Sequence, residues 1–189
     1  TIQEAYLAGN GLLTKHLGLK GASADLLTQV IESKQTVNKL FYTLSDDFIK
    51  ILQAYSDGIN KYAELHSEQI LVKDLFPITP KKMASYSFLQ LFISSGADKI
   101  IGDIYSNNVS GDFNFYNNMN GSNAIALNSA KIGRNETFLA INPHQPFDGP
   151  TSWYEAHLVS EEGTDIIGAT FAGAPCILIG ANRHLAWTH

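Results

Sequence analysis

The sequence is short of the features that would tie it to nucleic acid, a membrane or a disulfide framework. Lysine and arginine number 13 against 18 aspartates and glutamates, for a formal net charge of -5. A chain so poor in cations has no electrostatic footprint for a phosphate backbone, which argues against nucleic-acid binding. No apolar run approaches the roughly 18 residues a spanning helix needs, so membrane insertion is not expected. The opening residues, "TIQEAYLAGN", lack the basic-then-apolar layout of a signal peptide, so either the protein is cytosolic or its true start lies upstream. The lone cysteine, Cys176, has no partner for an internal disulfide. Inside the apolar run "GAPCILIG" it reads as a buried, inert thiol rather than a nucleophile.

What is present is an ordinary globular composition, 44% apolar and 16% charged over 189 residues, enough for one domain or two unequal parts. The first hundred residues carry helical periodicity. Phe41, Leu44, Phe48, Leu52, Tyr55, Ile59 and Tyr62 recur at spacings of 3 and 4, which predicts one apolar stripe along a helix. Shorter helices are expected in "TIQEAYLAGNGLLTKHLG" and "SADLLTQVIES", and Thr79-Pro80 supplies an N-cap and a first-turn proline for another. Residues 103–121, with six Asn, two Gly and no helical period, read as a linker.

From Ser122 the pattern changes to short runs, "SNAIAL", "TFLAIN", "WYEAHLV", "DIIGATF" and "CILIGA", separated by turns such as "KIGRNE" and "SEEGTD". These predict antiparallel hairpins, hence an α+β fold: a helical segment over 1–102, the linker, and strands over 122–189. The final "RHLAWTH" resembles a strand stopped midway, as expected of a fragment of a larger protein.

At the junction stands Asn120-Gly121-Ser122. Asn-Gly is a strong turn signal, and the triplet is also an N-x-S acceptor, as is Asn108-Val109-Ser110, with Asn135-Glu136-Thr137 as the N-x-T version. A third possibility is self-cleavage before Ser122. The freed α-amine, with an ordinary pKa of about 7.7–8.0, would sit beside its own hydroxyl, so one residue would hold both nucleophile and base. Gly121 would leave the attacked carbonyl unhindered.

"GSNAIAL", "LAINPHQPF", "WYEAHL" and "GATFAGAPCILIGANRHLAWTH", in this order, resemble the penicillin acylase family of N-terminal nucleophile hydrolases, in particular its acyl-homoserine-lactone and aculeacin-type branch. Upstream, "LQAYSDGINKY" is similar to the family's helical α-subunit. The resemblance implies a helical α-subunit segment followed by part of an αββα sandwich, with cleavage between Gly121 and Ser122 and a removed spacer over the Asn-rich stretch. It also implies Ser122 as nucleophile and His144 as the residue that helps hold the amine, 22 positions on (144 minus 122) within Asn142-Pro143-His144.

By the same resemblance Gln145 and His189 fall at acyl-pocket positions, although Gln145 replaces an aromatic residue usual there. Trp153, Tyr154 and Trp187 are either pocket lining or strand core. Arg183 is expected to pair with a carboxylate that the sequence does not identify. The family's oxyanion donors would fall beyond His189, so these residues alone are expected to be inactive unless another chain supplies them.

No zinc spacing is present among the six histidines. The resemblance implies no cofactor; some members bind calcium, through ligands largely outside this segment. The implied partners are a small N-acyl amide substrate and the remainder of its own precursor. The implied activity is hydrolysis of a linear N-acyl amide, with a long-chain substrate such as an acyl-homoserine lactone favoured over penicillin. The implied location is the periplasm or beyond. The rival expectation is a non-catalytic relative or isolated module that keeps the scaffold for binding or packing.

Overall fold

The computed structural model describes residues 1–106, 121–149 and 151–189. The chain divides into two compact units, one formed by Thr1–Gly111 with Gly173–Pro175 and the other by Asp112–Ala172 with Cys176–His189. Most of the stretch read as a linker, and with it two of the three N-x-S/T triplets in whole or in part, lies outside the described residues.

The first unit is helical: α1 (Ile2–Gly9), α2 (Thr14–Leu17), α3 (Ala22–Val30), α4 (Ser33–Leu40), α5 (Asp46–Leu65), α6 (Pro80–Ser94) and α7 (Ala97–Tyr105). Its core gathers Tyr6 and Leu7 from α1, Leu52 from α5, Leu75 and Ile78 from the connection, and Met83 and Tyr86 from α6. The Tyr6 and Tyr86 rings meet edge to face, centroids 5.5 Å apart, a geometry that suits the ring quadrupoles.

The long helix starts later than the apolar stripe implies. Ser45 accepts a hydrogen bond from the Phe48 amide at 3.3 Å, and Asp46 and Asp47 occupy the first turn, where acidic groups complement the helix dipole. Phe41–Thr43 forms a separate 3-10 turn, yet Phe41 and Leu44 still pack on the core beside Tyr55 and Ile59. The stripe is thus one packing face built by two elements. Its outer members, Phe48 and Tyr62, remain 38% and 55% exposed. Thr79 caps α6 as expected, accepting from the Lys82 amide at 3.3 Å with Pro80 in the first turn. Helix α7 continues through Asp103–Tyr105, into the stretch read as linker.

The second unit contains β1 (Ser122–Leu127), a short α8 (Ser129–Ile132), β2 (Phe138–Pro143), β3 (Trp153–Val159), β4 (Asp165–Phe171), β5 (Ile179–Ala181) and β6 (Ala186–Trp187). The strands fall on the runs read as strands, with β2 extending one residue further to Pro143, whereas α8 lies between two such runs. Strands β1 and β2 pair alone, and the other four form an antiparallel sheet in the order β3-β4-β5-β6. The whole is α+β, as expected.

Candidate active site

Strand β1 begins at Ser122, and its register with β2 runs from Ser122 opposite Pro143 to Leu127 opposite Phe138. The "SNAIAL" run alternates small and larger apolar groups, as a pleated pair requires, and Pro143 ends the partner strand by removing a ladder donor. Alternation puts Ser122, Ala124 and Ala126 on one face with Leu139 and Ile141. It puts Asn123, Ile125 and Leu127 on the other with Phe138 and Asn142. Every residue of β1 is exposed.

His144 follows β2 directly and is held on the second of these faces. Its Nε2 lies 3.0 Å from Nδ2 of Asn123 and 3.3 Å from Nδ2 of Asn142, two residues that are themselves directly opposite each other. Among the described hydrogen bonds none joins the Ser122 and His144 side chains. Pleating sends the Ser122 hydroxyl to the other face. Ser122 and His144, 22 residues apart in sequence (144 minus 122), are therefore brought to the same end of one hairpin. Asn123 and Asn142 were not singled out from the sequence, because their contact with His144 depends on a strand register that spacing alone does not reveal.

The remaining candidates are spread over the unit. Gln145 is half-buried in the loop after His144. Trp153 opens β3 and stacks on Phe171 directly across in β4, ring centroids 4.4 Å apart; its buried indole N–H has no hydrogen-bond partner among the described residues. Trp187, in β6, donates its indole N–H to the Leu178 carbonyl at 3.0 Å. His189 is exposed. An open cleft of about 610 Å³ is lined by Ser160, Thr164, Asp165, Asn182, Arg183 and His184, and contains none of these candidates.

Arg183 finds its carboxylate there, with Nε 3.4 Å from Oδ2 of Asp165. His157 approaches Oδ1 of the same group at 2.8 Å. The His157 hydrogen bond first, then the positive charges of His157 and Arg183, hold the Asp165 carboxyl below the usual aspartate value.

Cys176 departs from expectation: it is exposed. The apolar run that contains it contributes Ile179 to the interior instead, and Ile179 is 6% exposed. What shielding the sulfur has pushes its thiol pKa up, which favours the unreactive protonated form. Among the described residues no group of three or more His, Cys, Asp or Glu side chains gathers to hold a metal ion, so no residue is assigned to calcium.

The described residues thus form a helical unit and a unit of antiparallel hairpins, with Ser122 opening β1 and His144 directly following β2. The penicillin amidase family model matches residues 1–189, and the chain belongs to that family. It is 26% identical over 187 residues to the acyl-homoserine lactone acylase PvdQ of Pseudomonas fluorescens strain Pf0-1, covering 88% of this chain and 24% of that protein. Over 69 residues, 36% of the chain and 9% of each relative, it is 44% identical to PvdQ of Pseudomonas fluorescens strain Pf-5 and 38% identical to the aculeacin-A acylase of Actinoplanes utahensis. The chain thus spans about a quarter of the length of a curated relative that it matches almost throughout.

Proposed function

We propose that the whole protein hydrolyses a linear N-acyl amide through an acyl-enzyme on Ser122, after cleaving its own chain between Gly121 and Ser122. The observation that supports this is the register of β1 with β2, which sets Ser122 opposite Pro143, the residue before His144. In the reaction the Ser122 hydroxyl attacks the acyl carbonyl and its proton passes to the Ser122 α-amine. The tetrahedral intermediate collapses, the departing amine takes that proton, and an ester remains on Ser122 Oγ. Water then attacks the ester and gives a proton to the α-amine; the second tetrahedral intermediate collapses, the amine returns that proton to the departing Ser122 Oγ, and the carboxylic acid is released. The position of the hydroxyl, on the face away from the imidazole, supports the residue's own amine rather than His144 as the base.

The substrate class is supported by the names of relatives, an acyl-homoserine lactone acylase and an aculeacin-A acylase. A long-chain acyl amide is favoured, with Gln145, Trp153, Trp187 and His189 as pocket positions. The β1–β2 pair carries exposed apolar side chains on both faces, Ile141 on one and Ile125, Leu127 and Phe138 on the other. This supports further layers supplied by the rest of the same precursor, as an αββα sandwich requires. Calcium, if the whole protein takes it, would be held by that remainder. Among the described residues no helix is long and apolar enough to cross a membrane; export to the periplasm is part of the same proposal.

The test is made on the complete precursor. Mass spectrometry of the wild type should show two pieces meeting at Gly121 and Ser122. Ser122→Ala should leave one uncut species and lower acyl release from an N-acyl amide at least 1,000-fold, a loss on the order expected when a covalent nucleophile is removed. Turnover that survives Ser122→Ala would reject the nucleophile, and a wild-type precursor that stays intact on prolonged incubation would favour a non-catalytic relative.

A further inference from the structure

We propose that Asn123 and Asn142 are positioning residues that clamp His144 in the tautomer protonated on Nδ1, so that the imidazole serves the reaction centre as a hydrogen-bond donor and not as a proton acceptor. This rests on the assignment of Ser122 as nucleophile.

The argument is one of donors and acceptors. An amide nitrogen donates and cannot accept, and two of them face His144 Nε2, at 3.0 Å from Asn123 and 3.3 Å from Asn142. A neutral imidazole nitrogen that accepts has no proton, so the ring proton lies on Nδ1. The clamp is built into the fold, because Asn123 and Asn142 are a directly opposed cross-strand pair and His144 follows Asn142 after one fixed residue, Pro143. Proline fixes the backbone φ between the two residues.

The chemical consequence is a division of labour. To act as a base through Nε2 the ring would have to give up both amide contacts, and Nδ1 is already protonated. The Ser122 hydroxyl proton therefore goes to the residue's own amine, while Nδ1–H is left to orient an acceptor such as a water or a carbonyl oxygen. A histidine merely exposed in a turn would have neither nitrogen committed.

The tautomer is read directly by long-range nitrogen-proton NMR on the 15N-histidine-labelled full precursor carrying Ser122→Ala, with His144→Gln used to assign the signal. The expected spectrum has a pyrrole-like Nδ1 and a pyridine-like Nε2 at pH about 8. Replacing both amides by the isosteric acids, Asn123→Asp with Asn142→Asp, presents acceptors only and should exchange the two roles. A ring protonated on Nε2 in the Ser122→Ala chain would overturn the clamp without any need for the acidic variant to fold. In the full precursor, Asn123→Asp should lower kcat on the order of 10- to 100-fold with KM little changed, the scale of a misplaced reacting group. An unaltered kcat would overturn the positioning role. Since the tautomer is measured in a protein that cannot react, it stands or falls separately from the Ser122 assignment, which the acyl-release assay decides.

Discussion

Asp165 faces His157 diagonally across the β3–β4 pair and reaches Arg183 in the turn after β5. Cross-strand neighbours of opposite charge are favourable on a pleated surface. Because the folded carboxyl titrates below its unfolded value, its contribution is present above the ordinary aspartate pKa of about 3.9 and is lost as pH falls through the lower folded value. A carbon-detected titration of the Asp165 carboxyl should find its midpoint below about 3.9, and His157→Ala should move it upward, since the His157 hydrogen bond is the largest cause. An Arg183 without an assigned partner was all that the sequence offered at this site; the pairing requires knowing that residues 157, 165 and 183 meet. Cys176 shows the same limit. An apolar run names the strand but does not say which of its members faces inward, and here Ile179 does.

Two glycines separate local propensity from packing. Gly9 ends α1 against α6, where an added Cβ would lie 2.3 Å from Cα of Tyr86, whereas Gly58 in α5 has nothing within 4 Å of the same atom. Helix propensity alone favours alanine over glycine by about 1 kcal/mol. Gly58→Ala should therefore raise stability by roughly 0.5–1 kcal/mol. Gly9→Ala should lower it by about 2 kcal/mol or more, because the clash is with backbone and the helices must part. Urea denaturation of the two variants beside wild type would show the opposite signs. The strands repeat the lesson: Gly168 and Gly180 are directly paired, and a Cβ on Gly168 would meet the Ile179 carbonyl oxygen at 2.1 Å. Period-2 runs made the strands themselves legible, and Thr79-Pro80 marked the start of α6. The start of α5 was hidden because the 3-4 spacing continues unbroken across Leu44, Ser45 and Asp46, although the chain leaves the helix there. The change of pattern at Ser122 was visible; the amide clamp one residue later was not, since it exists only in the paired strands.

At the scale of the molecule, burial is unequal. The helical unit hides Tyr6 and Tyr86 almost completely, whereas the buried hydrophobics described in the strand unit are Ala172 and Ile179. Burial first, then nearby phenols, raises the pKa of Tyr6 and Tyr86 well above the ordinary tyrosine range, and burial raises that of Tyr55. With folded values above unfolded ones, the stabilising contribution is intact below about pH 10 and is lost as pH rises from there toward the folded values. Thermal melts followed by circular dichroism should show a falling midpoint above about pH 10. Tyr86→Phe should lose less of its own midpoint over the same interval, whatever its starting stability. A wild-type midpoint flat up to about pH 11 would contradict the assignment of these phenols to the core.

One contact of the helical unit joins distant parts of the chain: the Tyr6 hydroxyl donates to the Gly173 carbonyl at 2.6 Å, out of solvent. Tyr6 precedes the Gly121–Ser122 bond and Gly173 follows it. Were that bond cut, a fold made by one polymer would become a complex of two, and this hydrogen bond would pass from a tethered contact to one whose persistence depends on dissociation rates. Separation of the pieces would have to break this buried hydrogen bond, so the cut would release a terminus without releasing a product.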